Sequence, residues 1–150
     1  IARVARSQYQ LNRLKSLAKL ESNGDVPLID DPDFRRRIAR VETDLLALEA
    51  AELRYLSQDI AGRKLTAEPS VLKIRGAEIA QAIKTLTVEA LGPYGMAYEP
   101  DPVHQGRNDG PIGPDYAHGV LADHLYQRAA TIYGGTNEIQ RNIIAKLILR

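Results

Sequence analysis

Tyr133-Gly-Gly-Thr-Asn-Glu-Ile-Gln-Arg-Asn-Ile-Ile-Ala-Lys-Leu-Ile-Leu-Arg150 closes the chain, and its reading sets the fold class. The glycine pair breaks one helix. Thr136 or Asn137 caps the next by offering a side-chain oxygen to an orphan N–H of the first turn. Glu138 stands in that turn, where the helix dipole favours negative charge. Ile139, Ile143, Ile144, Leu147 and Ile148 share one stripe, so the spacing predicts an amphipathic helix with a buried polar start. There the N–H groups of Gly134, Gly135 and Thr136 can receive a carbonyl, a ring oxygen or a phosphate, because no bulky side chain stands in the way. The same residues also suit a plain glycine cap that only turns the chain.

Outward from this motif the chain repeats the helical period. Leu121, Leu125 and Ala129 are spaced by four, predicting a short helix over 120–130 that delivers the chain to Tyr133. Before it, residues 96 to about 118 are rich in proline and glycine and lack periodicity, the pattern of a long irregular loop. From Ser70 the series Leu72, Gly76, Ile79, Ile83, Leu86, Ala90 marks a long helix that ends at Gly92-Pro-Tyr-Gly95. Gly76 in its middle costs about 1 kcal/mol against alanine, so it reads as a place where another element packs closely. Asp31 and Pro32 supply the N-cap and first position of a further helix, whose series Phe34, Ile38, Val41, Leu45, Leu48 resumes at Leu53, Leu56 and Ile60. Such a helix, about 28 residues, needs partners along its whole length. Residues 1 to about 21 carry Val4, Leu11, Leu14 and Ala18 on one face, until Ser22-Asn-Gly-Asp25 and Pro27 end the helix. With short links and no strand pattern, the expectation is one all-α domain, an up-and-down helical bundle.

Composition narrows the function classes. Twenty basic and 19 acidic residues among 150 leave a net charge of +1, so no global field draws nucleic acid or an anionic membrane. There is no cysteine, no apolar run long enough to span a bilayer and no signal-peptide pattern at Ile1-Ala-Arg-Val, which fits a soluble cytoplasmic protein. His104, His118 and His124 have loop-like spacing and no matching carboxylate pair, so no metal site is expected and a solvated or capping role is. Glu49, Glu52 and Glu68 read as solvated carboxylates, and Arg35-Arg36-Arg37 as the outer face of a helix.

The run Ile132-Tyr-Gly-Gly-Thr-Asn-Glu-Ile-Gln-Arg-Asn-Ile-Ile-Ala145 closely resembles the C-terminal signature of flavin-dependent acyl-CoA dehydrogenases. Leu72-Lys-Ile-Arg-Gly-Ala-Glu-Ile79, continuing to Glu89-Ala-Leu-Gly-Pro-Tyr-Gly95, is similar to that family's penultimate long helix and its glycine-rich exit. The resemblance covers most of the chain. It implies the C-terminal helical domain of such an enzyme, with the family's N-terminal helical domain and β-barrel lying before Ile1, where the chain opens inside a helical pattern. The 96–118 loop is longer than is usual in the family.

The resemblance also implies chemistry: α,β-dehydrogenation of an acyl-CoA thioester with FAD as hydride acceptor and an electron-transfer flavoprotein or similar acceptor as the partner. Thr136 falls where relatives hydrogen-bond the flavin, Gly135 and Glu138 fall beside it, and Glu89, Gly92 and Gly95 fall where relatives reach a flavin held mainly by a neighbouring subunit of a homo- or hetero-oligomer. Thr136 as a plain N-cap, and Gly92 and Gly95 as a plain C-cap, remain open alternatives. Two departures matter. Gly134 stands where many relatives carry the glutamate that removes the α-proton, so no catalytic residue is expected within these 150 residues and the base is expected just upstream of Ile1. The Arg-x-x-Phe-Gly segment that touches a partner's flavin in many relatives is replaced by Glu21-Ser-Asn-Gly-Asp-Val-Pro27. A catalytically silent subunit or assembly module of a hetero-oligomeric dehydrogenase, and a cofactor-free helical interaction domain, are the alternative functions.

Overall fold

The computed structural model describes residues 3–62, 66–98 and 112–149. Five helices carry the fold among them: α1 (Val4–Leu20), α2 (Pro32–Ile60), α3 (Glu68–Ala90), α4 (Val120–Gln127) and α5 (Asn137–Ile148). Polar pairs give their directions. Gln8 reaches Glu49 and Lys15 reaches Glu42, so α1 and α2 are antiparallel. Asp44 meets Arg75 and Arg37 meets Glu89, reversing again into α3. Lys84 pairs with Asp123 while Gln81 donates to the Gln127 carbonyl, so α4 runs down α3. Lys73 meets Asn137 and Glu78 meets Arg141, so α5 rises alongside α3. The alternation is that of an up-and-down bundle.

α3 is its axis and touches each of the other four helices. Its buried positions include Leu72, Ile74, Ala77, Ile79, Ile83, Leu86 and Val88, which go round the helix rather than down one stripe, as a central helix requires. Val4, Leu11, Leu14 and Ala18 from α1 and Phe34, Ile38, Val41, Leu45 and Leu48 from α2 close on one side of it. A smaller cluster of Leu17, Val88, Leu91, Ala117 and Val120 seals one end.

The caps follow the sequence. Asp31 accepts from the N–H groups of Asp33 and Phe34 at 3.0 and 2.9 Å, with Pro32 in the first helical position. These bonds hold the Asp31 carboxyl below its ordinary range.

Several expectations are corrected. Ser22–Asn23 and Val26–Pro27 form a two-residue antiparallel ladder, β1 and β2, because Gly24 at φ +60° lets the chain reverse tightly enough to pair. Leu53, Leu56 and Ile60 are exposed, while Tyr55 on the same stretch of α2 packs against the core. The stripe of α5 is not buried either: Ile139, Ile143, Leu147 and Ile148 are exposed, and Asn137 alone in that helix is buried. Short 3-10 turns at Gly92–Met96 and Asp115–Ala117 occupy the described ends of the 96–118 stretch; its centre lies outside the described residues.

Candidate functional site

The start of α5 is built from two glycines between two anchors. Tyr133 donates its N–H to the Ala129 carbonyl at 3.0 Å, closing the 3-10 turn Arg128–Thr131 that follows α4. Gly134 and Gly135 then take φ +67° and +88°, a left-handed path that side chains resist. Thr136 is the N-cap, its hydroxyl accepting from the Ile139 N–H at 3.3 Å. Gln140 reaches back to donate to the Gly134 carbonyl at 3.2 Å. The N–H groups of Gly134, Gly135 and Thr136 have no acceptor among the described residues. Gly134 and Gly135 are exposed, whereas Asn137, the first residue of α5, is buried, so the helix start expected to be buried is buried only from Asn137 on.

What holds this turn from behind is not legible in the local sequence. Asn137 is 4% exposed, and its carboxamide oxygen accepts from the Lys73 ammonium at 2.8 Å across 64 residues of chain. One turn on, Arg141 donates to Glu78 at 3.2 Å and faces Glu138 at 3.8 Å. Glu78 also pairs with Arg75, which reaches Asp44, so a chain of charges runs from α2 through α3 to α5. Glu138 itself is exposed; its own N–H, then the Thr136 hydroxyl, then Arg141 and Lys73 hold its carboxyl below the ordinary range.

Between α1, α3 and the approach to Tyr133 lies a cleft of about 70 Å³ lined by Arg3, Arg6, Ser7, Gln10, Lys73, Gly76, Ala77, Ala80, Gln127, Ala130 and Tyr133. Gly76 is buried on α3 and lines this cleft. The lining contains three cations and no carboxylate. Nothing in it can take up a proton as a carboxylate general base does.

The second predicted segment lies elsewhere. Gly92 turns the chain at φ +53° with open space where a side chain would be, while Gly95 is packed so that a Cβ would strike the Val88 carbonyl. Glu89 is committed to Arg37 of α2. From Lys73 to Glu89 the axis of α3 advances about 24 Å at ~1.5 Å per residue. Thr136, Gly135 and Glu138 therefore gather at one end of the bundle, Glu89, Gly92 and Gly95 at the other, and one chain does not bring the two sets together.

The remaining candidates have structural employment. Glu49 accepts from Gln8, and Glu68 accepts from the N–H and hydroxyl of Thr66; its own N–H first, then the Thr66 bonds, lower its pKa. Both remain in contact with solvent while holding these partners. Arg35 and Arg36 do face outward, with Arg36 pairing Asp33. The Nδ1 of His124 is buried without a hydrogen-bond partner, and burial followed by the Arg128 charge pushes its pKa down, so it is not solvated there. The His118 N–H donates to the Asp115 carbonyl; His104 lies outside the described residues. Among the described residues no three His, Asp or Glu side chains gather to hold a metal ion, and no helix is long and apolar enough to cross a membrane.

A profile of the acyl-CoA dehydrogenase C-terminal domain matches residues 1–149. The chain belongs to the acyl-CoA dehydrogenase family. It is 29% identical over 140 residues to the acyl-CoA dehydrogenase IpdE1 of Mycobacterium tuberculosis, covering 93% of this chain and 31% of that protein. With IpdE1 of Mycolicibacterium smegmatis it shares 28% over 120 residues, 80% of this chain and 26% of that one. The chain thus spans about a third or less of the curated relatives it matches. Solved structures carry the same fold: a chain of the ChsE4-ChsE5 complex of M. tuberculosis superposes with a TM-score of 0.75 at 24% identity, over 99% of this chain and 36% of that one. Butyryl-CoA dehydrogenase of Megasphaera elsdenii does so at 0.72 and 18%, over 98% of this chain and 34% of that one. The acyl-CoA dehydrogenase signature Ile132–Ala145 is thus the turn into α5 and most of that helix.

Proposed function

We propose that this chain is the C-terminal helical domain of a flavin-dependent acyl-CoA dehydrogenase, the N-terminal helical domain and β-barrel being supplied from outside these residues. In this reading FAD meets the turn into α5 and accepts the β-hydride of an acyl-CoA thioester; an electron-transfer flavoprotein or similar acceptor then reoxidises it. The single observation that carries the assignment is the family match together with the state of its signature turn: donors at Gly135 and Thr136 without acceptors, on a backbone kept bare by two left-handed glycines. These residues fit a flavin edge, whose ring oxygens need N–H donors at close approach. The same reading gives the exposed α5 stripe and the outer half of α2 a role, as surface for sister domains or for other subunits of a homo- or hetero-oligomer. Glu89, Gly92 and Gly95, a helix length away, would serve the flavin of a neighbouring subunit, once Glu89 leaves Arg37.

In this reading the α-proton is removed by a carboxylate supplied from outside these residues. Gly134 has no group to do it, and the adjacent cleft is lined by cations, amides and small residues. General-base catalysis is worth about 10²–10⁴ in rate, so its absence is decisive for turnover. The same absence favours a second reading, a catalytically silent subunit that lends helices and half of a flavin site to an active partner.

The test is made on the intact protein. Flavin absorbance at one per subunit, bleached by acyl-CoA, is expected, with Thr136→Val weakening flavin retention. A glutamate immediately upstream of Ile1 is expected, and its change to glutamine should abolish acyl-CoA oxidation while flavin stays bound. Purification without flavin, and failure to take it up, would overturn the assignment; flavin binding without bleaching in any subunit combination would select the silent subunit.

A further inference from the structure

We propose that Lys73 is a positioning residue: clamped on the buried Asn137 carboxamide, its ammonium fixes the direction in which the N–H groups of Gly135 and Thr136 point. The proposal deepens the flavin reading and rests on it for its functional meaning. The physical need is plain. Two glycines in left-handed conformation have more freedom to lose than any other residue pair, and they carry no side chain that packing could hold. The turn is therefore held by the Gln140 bond to the Gly134 carbonyl and by its two ends. One end is the Tyr133 N–H on the Ala129 carbonyl. The other is the first residue of α5, and there apolar burial does not help, because Ile139, Ile143 and Leu147 are exposed. What remains is polar: Asn137, 4% exposed, accepting from Lys73 at 2.8 Å. The Glu78–Arg141 pair lies a turn further along and holds the body of α5 rather than its start. Lys73 also lines the cleft beside Tyr133.

A part-buried cation-to-amide hydrogen bond leaves the buried Asn137 oxygen without its donor when the cation goes, which corresponds to about a tenfold shift in a local equilibrium. The intact protein is prepared with Lys73→Met, Lys73→Arg and Asn137→Leu, and two quantities are measured: amide hydrogen exchange of residues 134–138 and the dissociation constant for added FAD. Lys73→Met and Asn137→Leu should each speed exchange at Gly135 and Thr136 about tenfold and weaken FAD by a similar factor, while amides around Ile83 and Leu14 keep their protection. Combining them should add little, since both break one bond. Lys73→Arg, which keeps a cation and donors, should recover part of both effects. Should Lys73→Met fail to fold, Asn137→Leu, nearly equal in size, carries the test. Turn exchange within twofold of wild type in both variants overturns the proposal, as does acceleration spread equally over Ile83 and Leu14. Wild-type protein that takes up no FAD instead defeats the flavin reading, and the exchange data then still decide whether Lys73 fixes the turn.

Discussion

Gly134 and Gly135 look interchangeable in the sequence, yet alanine at the two positions should have measurably different consequences. Both sit at positive φ, where an L side chain costs roughly 1–2 kcal/mol, partly offset by about 0.4–1 kcal/mol from a stiffer unfolded chain. At Gly134 the added methyl meets open space, so Gly134→Ala should destabilise by about 1 kcal/mol. At Gly135 the methyl would lie 2.6 Å from the Gln140 Nε2, the far end of a flexible side chain, which must swing away and give up its bond to the Gly134 carbonyl. An exposed neutral hydrogen bond contributes about 0.5–1 kcal/mol, bringing Gly135→Ala to about 1.5–2 kcal/mol. Urea unfolding of the four proteins in a Gly135→Ala, Gln140→Ala cycle isolates the difference as a shift in midpoint at constant slope. The coupling should be about 0.5–1 kcal/mol, and Gly135→Ala in the Gln140→Ala background should fall to the cost of Gly134→Ala. Equal costs at the two glycines in the wild-type background, or a difference that survives removal of Gln140, would refute the reasoning.

Ile83, wholly buried on α3, loses three carbons on truncation to alanine; transfer at about 0.8 kcal/mol each plus the cavity left behind gives about 3–5 kcal/mol, read as a lowered urea midpoint. The pH dependence should show two windows. His124 binds fewer protons folded than unfolded, so its contribution is complete above its ordinary value of 6.5 and is lost as pH falls through that value toward the lower folded one; His124→Gln should flatten this segment of the stability profile. Asp31, Glu68 and Glu138, all lowered, give a separate loss beginning near the ordinary carboxylate range and deepening as pH falls, which His124→Gln should leave in place. Residues 1–150 alone should be helical and self-associated, because α5 and the outer half of α2 expose their apolar residues, and should retain no FAD; a monodisperse monomer in sedimentation velocity, or stoichiometric flavin absorbance, would count against this.

Local sequence determined the helices and their ends. Apolar residues at three- and four-residue spacing mark each helix, Asp31 before Pro32 opens α2, Thr136 opens α5, and glycines fall where φ must be positive, all of which depend on neighbours within a turn or two. The signature 132–145 also placed the chain in its family, since that motif is contiguous. Tertiary structure alone decided which stripes find a partner. Leu45 and Ile139 each belong to an apolar stripe with the same spacing; the first is buried in the core between α1, α2 and α3, and the second is exposed. The pairs Lys73–Asn137, Lys84–Asp123 and Arg141–Glu78 join residues 39 to 64 apart, and no pattern in either partner names the other. Periodicity is a property of one helix, whereas burial and long-range hydrogen bonding are properties of the space between helices, which is defined only once the bundle has closed.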